Sequence, residues 1–300
     1  MNTHITGATG FVGKNLLPYL AKLAINVNSI NRNQLVNQNW DLRSADAIVH
    51  LAGKAHDLQK IANVDEYYEV NFELTKKLYD AFLKSDATKF IYISSVKAAA
   101  DSFEGVLTEG DSPNPLTHYG KSKLMAEDYI KSQSLPEGKY YYILRPCMIH
   151  GPGNKGNLNL LYKFVQKGIP YPLAAFENER SFLSVENLCF VITNLLTKDI
   201  PSGIYNVADD QALSTNEVVE ILAHSLSKQA KLLRIPITLI RAVAKVGDIL
   251  KLPLNTERLN KLTENYLVDN QKIKKALNLE LPVSIEEGLA TTAKSFGAGI

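Results

Sequence analysis

The chain has 300 residues, 45% of them hydrophobic and 21% charged, with a formal net charge of +2. That length supports a large core in one domain or two intimately joined ones, and the composition excludes a disordered or collagen-like chain. The overall charge is too small to argue for nucleic acid or an acidic membrane as a partner. No apolar run approaches the ~20 residues of a membrane span. The two cysteines, Cys147 and Cys189, form no CxxC pair and fit a reducing cytosol, so a cytoplasmic location is expected. The N-terminus enters a glycine loop at once, so no leader is expected before it, and no metal site is expected.

In chain order, short apolar runs predict strands at 2–6, 25–30, 47–52, 89–94 and 141–145. Helical patterns at about 12–23, 66–85 and 117–134 alternate with them. This alternation argues a parallel sheet with crossover helices, an α/β fold. Two features are irregular. The first strand, NTHIT, is poor in apolar residues for a buried parallel strand. The stretch from Arg32 to Ala47 is too short for two full crossovers, so an element common in doubly wound sheets is expected to be shortened or absent there. The second half changes character: loops rich in Gly, Pro and Asn at 151–157 and 170–180 interrupt helices, and GIYNVAD at 203–209 reads as another strand. Residues 232–254 are apolar with Arg241, Lys245 and Asp248 spaced along them. A helix packed on its own domain is favoured there over a surface membrane helix.

Residues 6–13 read TGATGFVG. Gly7 permits a tight turn, Gly10 lets the backbone approach a phosphate, and Gly13 lets helix and strand pack closely. A pyrophosphate would then sit at a helix N-terminus. The spacing is GxxGxxG rather than GxGxxG. At the end of the second strand stand Asn31 and Arg32. A carboxylate there would hold ribose hydroxyls, whereas an arginine welcomes a 2′-phosphate, so the residues lean toward NADP over NAD.

Residues 119–123 read YGKSK, placing Tyr119 and Lys123 on one helix face. A nearby ammonium is expected to stabilise a phenolate and bring the tyrosine toward working pH as an acid/base. Ser94 and Ser95 close the strand before, where a hydroxyl can bond an oxygen that becomes a carbonyl.

These residues resemble the extended short-chain dehydrogenase/reductase family, in its nucleotide-sugar epimerase/dehydratase branch. The carriers are TGATGFVG, HLAG at 50–53, YISSVK at 92–97, YGKSK at 119–123, RPCMIHGPG at 145–153 and RSFLSVENL at 180–188. The resemblance implies a Rossmann-like doubly wound parallel sheet with a smaller C-terminal substrate-binding domain. The expected division is 1–146 with 181–208 for the dinucleotide and 147–180 with 209–300 for the nucleotide sugar. It implies Ser95, Tyr119 and Lys123 as the catalytic set, with Ser95 preferred to Ser94. Cofactor contacts would come from Gly7, Thr9, Gly10, Phe11, Val12, Gly13, Asn31, Arg32, Leu51, Ala52, Gly53, Tyr119, Lys123 and Pro146, with Asn71 a nearby structural contact. Asn157 and Arg180, and more weakly Arg258, would hold the substrate's nucleotide diphosphate.

The likeness is greatest to enzymes acting at C4 of UDP-sugars, both 4-epimerases and 4-keto reductases, and implies a place in polysaccharide or glycan precursor synthesis. Val96-Lys97 stand where dehydratases carry an Asp-Glu pair, which disfavours dehydration. His150 replaces the usual tyrosine before GPG and reads as a packing residue. Three readings remain: NADPH-dependent 4-keto reduction, 4-epimerisation with tightly bound NAD, and a non-catalytic dinucleotide sensor. A homodimer is a further expectation, with Tyr67, Val70, Leu74 and Leu78 as its apolar seam or, equally, as internal core.

Overall fold

The computed structural model describes residues 1–54, 63–154, 156–250 and 255–297, without the side chain of Asn157. From the N-terminus come β1 (Asn2–Thr6), α1 (Phe11–Lys22), β2 (Asn26–Ile30), α2 (Arg32–Val36), β3 (Ala47–His50) and α3 (Val64–Tyr68). A π-helical turn (Glu69–Glu73) leads into α4 (Leu74–Lys84), then β4 (Lys89–Ile93), a 3₁₀ turn (Val96–Ala98), β5 (Val106–Leu107) and α5 (His118–Ser132). Next are β6 (Tyr140–Pro146), β7 (Met148–His150), α6 (Asn157–Gln166), β8 (Arg180–Ser184), α7 (Val185–Thr197), β9 (Gly203–Val207) and β10 (Ala212–Leu213). The chain closes with α8 (Thr215–Ser225), α9 (Ile237–Leu250), α10 (Thr256–Thr263), β11 (Leu267–Val268), α11 (Gln271–Leu277) and α12 (Ile285–Gly297).

Six parallel strands form one sheet in the order β2-β1-β3-β4-β6-β9. The order reverses at β1, because β2 lies on one side of it and β3 on the other. Reversal leaves a crevice beyond the strand ends, where open α/β sheets take ligands. Helices cover both faces. Leu16 and Leu20 of α1 join Leu188 and Ile192 of α7 in one core, and Leu78, Phe82, Ala126 and Ile130 join Phe90 in the other. The α/β architecture is the expected one, with smaller sheets β10-β8-β7 and β11-β5 and a further core among α6, α8 and α12.

Both irregular features have physical reasons. Strand β1 is central despite its polarity: Thr3, Ile5 and Thr6 are wholly buried. β-Branched threonine suits a strand, and the Thr6 hydroxyl is paired, lying 2.6 Å from His50 Nδ1. Between Arg32 and Ala47 there is only the short α2, and the chain then crosses to β3 on the far side of β1. Among the described residues no strand lies beyond β2, which becomes an edge whose Asn26, Asn28 and Ser29 are exposed. Polar side chains suit an unpaired edge.

The helix expected over 66–85 is interrupted at Glu69–Glu73 by the π-turn, a local widening that frequently marks a functional site. It carries Asn71, which is wholly buried. Of the apolar seam, Leu78 and Tyr67 are buried in the chain's own core, while Val70 and Leu74 are only partly covered. The internal-core reading therefore holds for Tyr67 and Leu78. Within 232–254, α9 buries Ile240, Ala244 and Gly247 but leaves Leu239, Val243, Val246, Ile249 and Leu250 exposed; residues 251–254 lie outside the described set.

Gly13 tests the close packing of α1 on β1. A Cβ there would lie 2.5 Å from the Gly7 carbonyl oxygen and 2.6 Å from Ala8, both backbone positions that cannot swing aside. Gly13→Ala should lower the melting temperature by several degrees and abolish dinucleotide binding, read by thermal unfolding and calorimetry.

Candidate active site

The crevice begins at the glycine loop. Gly7 has φ +72°, and a Cβ on it would meet the Ala52 amide nitrogen at 2.7 Å, so only glycine allows the loop to lie against the residues after β3. Gly10 is the N-cap of α1 and brings no side-chain cap, which leaves the first-turn N–H groups to a ligand. Gly53 closes the other side: a Cβ there would stand 3.0 Å from both Lys123 Nζ and Asn71 Oδ1. Thr9, Gly10 and Gly53 are exposed, and Phe11, Val12, Leu51 and Ala52 are partly so. A cradle walled by backbone and closed to side chains fits a dinucleotide.

Tyr119, Lys123 and Glu127 recur every four residues along α5 and so share one face. Tyr119 hydrogen bonds with Ser95, and its ring meets that of Tyr67 edge-on at 6.3 Å. Burial raises the phenol's pKa, and the bond from Ser95 is the influence that lowers it. Lys123 is not among the influences on the phenol. The Lys123 ammonium is engaged elsewhere, donating to the Ile93 carbonyl at 2.8 Å and lying 4.8 Å over the Tyr92 ring. Burial pushes Lys123 itself down to about 8, partly offset by Glu127.

The two serines divide. Ser94 donates to Glu127 Oε1 at 2.5 Å, whereas Ser95 caps the 3₁₀ turn by accepting from the Lys97 amide at 3.2 Å and also reaches Tyr119. Geometry thus brings Ser95, not Ser94, to the tyrosine. Glu127 also takes a fork of bonds from Arg145, with Nη2 at 2.5 Å and Nε at 3.0 and 3.1 Å. Both side chains are essentially inaccessible. This cluster fastens α5 to β4 and β6. Neither Glu127 nor Arg145 was singled out from sequence, although Glu127 continues the Tyr119–Lys123 spacing and Arg145 opens the RPCMIHGPG run.

A second buried chain ties the glycine loop to α5. Thr75 donates to the Asn71 carbonyl at 2.8 Å, so it accepts from His50 Nε2 at 2.9 Å. His50 Nδ1 is then an acceptor for Thr6, whose oxygen receives the Ala52 amide at 3.1 Å. Burial, aided by the Lys123 charge, pushes His50 down to about 3, in keeping with this neutral tautomer. Asn71 continues the chain: it accepts from the Lys54 amide and donates to the Lys54 carbonyl and Ser122 Oγ.

The remaining expected residues are scattered. Pro146 is buried at the end of β6. Asn31 caps α2 in a reciprocal capping box with Gln34, and Arg32 beside it is exposed. Arg180 is largely buried and donates to the Lys261 and Glu264 carbonyls while pairing with the Glu264 carboxylate at 3.3 Å. Burial holds its pKa below the usual arginine value. Lys97, two residues beyond Ser95, lies 4.3 Å over the Tyr266 ring and feels the charges of Glu264 and Arg180. Arg258 is exposed on α10, and the Asn157 side chain lies outside the described set. His150 is buried, with Nδ1 3.0 Å from Thr292 Oγ1 and Nε2 3.6 Å from Asp209 Oδ2.

A model of the NAD dependent epimerase/dehydratase family matches residues 3–208. The chain belongs to that family. It is 30% identical over 320 residues to a UDP-glucose 4-epimerase of Vibrio cholerae, covering 97% of this chain and 94% of that protein. It is 27% identical over 316 residues to the N-acetyl-alpha-D-glucosaminyl-diphospho-ditrans,octacis-undecaprenol 4-epimerase of Escherichia coli O157:H7, with 97% and 94% covered. The fold is shared with RMD from Pseudomonas aeruginosa complexed with NADPH, at a TM-score of 0.77 and 20% identity over 100% of this chain and 98% of that one. Membership makes this an enzyme of the epimerase/dehydratase family, with a nicotinamide dinucleotide as cofactor.

Two variants separate positioning from chemistry. Glu127→Ala strands a buried guanidinium and should cost ~3–5 kcal/mol of stability. Glu127→Gln with Arg145→Met should recover much of that stability in denaturant unfolding but not the catalytic rate. Lys123, charged and buried, carries a folding cost on the order of 3 kcal/mol at neutral pH. Its folded pKa lies below the ordinary 10.5, so the unfolded chain binds the extra proton between about 8 and 10.5, and this contribution to stability improves as pH rises through that window. Lys123→Met should melt higher than the wild type at pH 7, with the gap closing toward pH 10.

Proposed function

We propose that the enzyme reduces a 4-keto nucleotide sugar at C4, with a UDP-(N-acetyl)hexosamine derivative as substrate and NADPH as the preferred cofactor. The observation that supports reduction over epimerisation is the end of β2. The Asn31 side chain is taken up in capping α2, no carboxylate follows, and Arg32 stands exposed beside it, able to meet a 2′-phosphate. The match to the Vibrio cholerae UDP-glucose 4-epimerase favours a UDP-sugar and keeps 4-epimerisation, with NAD held tightly, as the second reading.

The dinucleotide supplies the hydride that reaches C4. Tyr119 gives its proton to the C4 oxygen as that bond forms, and the Ser95 hydroxyl donates to the same oxygen. Lys123, pinned by the Ile93 carbonyl beneath Gly53, would meet the cofactor's ribose. Arg180, with Asn157 and Arg258 as further candidates, holds the substrate's diphosphate. The free, buried Cys147 and Cys189 suit the reducing cytoplasm proposed as its location.

Tyr119→Phe should abolish turnover, by at least roughly a hundredfold, and leave dinucleotide affinity near normal. Unchanged turnover would remove the enzymatic assignment of Tyr119. Arg32→Ala should weaken NADPH binding while leaving NADH binding as it was; equal effects on both would count against the NADPH preference.

A further inference from the structure

Helix α9 is apolar on two sides. Ile240, Ala244 and Gly247 pack inward, joining Leu173 and Leu259. Leu239, Val243, Val246 and Leu250 recur at steps of four, three and four residues on an adjoining face that meets no core among the described residues, and Ile249 beside them is 80% exposed. Contiguous apolar surface of this kind marks an interaction site. The polar edge of the helix carries exposed Arg241 and Lys245.

The surrounding charge is concentrated. Residues 228–262 hold eight Lys and Arg against two Asp and Glu, leaving 25 against 29 for the rest of the chain. Of the two acids, Asp248 is occupied by Thr256, through its amide and hydroxyl, and Glu257 pairs with Lys261. The near-neutral total thus conceals one basic segment, and that segment bears the exposed apolar stripe.

We infer that α9 is a membrane-surface helix that lays Leu239, Val243, Val246, Ile249 and Leu250 into an anionic lipid interface, with Arg241 and Lys245 at the phosphate level. An apolar stripe edged by cations is the chemistry an acidic bilayer recognises. The helix is not a membrane span: among the described residues no helix is long and apolar enough to cross. A second copy is the poorer occupant. A two-fold contact across this stripe would bring Arg241, Lys245 and the rest of the basic segment against their own copies. Docking is independent of which reaction the active site performs.

Flotation of the full chain with vesicles tests this. It should float with phosphatidylcholine–phosphatidylglycerol vesicles, far less with phosphatidylcholine alone, and less as salt rises. Val246→Asp with Ile249→Asp, and separately Arg241→Glu with Lys245→Glu, should each reduce flotation roughly tenfold or more. Both pairs are exposed, so the melting temperature and dinucleotide affinity should stay unchanged, which separates this outcome from misfolding. Absence of flotation, or flotation indifferent to these variants, would overturn the inference. So would a dimer in light scattering that the apolar-stripe variants dissolve.

Discussion

The site depends on one buried carboxylate. Glu127 receives Arg145 from β6 and Ser94 from just beyond β4, and it sits two turns beyond Tyr119 on the same face of α5. A helix held only by apolar packing could rotate or slide slightly, because cores accept small changes of rotamer. A two-pronged guanidinium–carboxylate bond with a hydroxyl on the same carboxylate leaves much less freedom. The clamp sets the register in which Ser95, next in sequence to Ser94, faces Tyr119. Its cost is an ion pair withdrawn from water, stable only while all its partners are present.

Around that clamp the sheet order does the rest. Reversal at β1 brings the ends of β1 and β3 together, and glycine at positions 7 and 53 lets backbone approach where a side chain would collide. The threonine–histidine chain then joins the two strand ends to α4, and Asn71 carries the connection on to Ser122 of α5. The glycine-loop crevice and helix α5 are therefore joined by one buried polar chain, which ends with Ser122 donating to the Tyr119 carbonyl. Its members have their hydrogen-bond partners, as a low-dielectric interior demands.

Much of this was legible in the residues. Period and punctuation disclose the strands and α5, because buried strands and amphipathic helices repeat at fixed spacings. The shortened region after Arg32 showed as a simple lack of length. The π-turn at Asn71 did not show, since widening a helix by one residue leaves no mark in composition. Glu127 and Arg145 were hidden for a different reason: a charged residue reads as surface until its partner, distant in sequence, is placed beside it. The tyrosine–lysine spacing disclosed a shared face but not the direction in which the ammonium is used, which depends on the Ile93 carbonyl and the Tyr92 ring. Helix α9 was misleading in the opposite way, being apolar enough to suggest ordinary packing while half of its apolar surface faces outward.

The most direct test of an exchangeable-cofactor reductase is what the purified protein carries. The protein would be denatured, and any released nicotinamide nucleotide identified by absorbance and mass and quantified per chain. The account predicts little or none, with NADPH added back binding much more tightly than NADH. One equivalent of NAD retained through purification would contradict it and would make the enzyme an internally recycling epimerase.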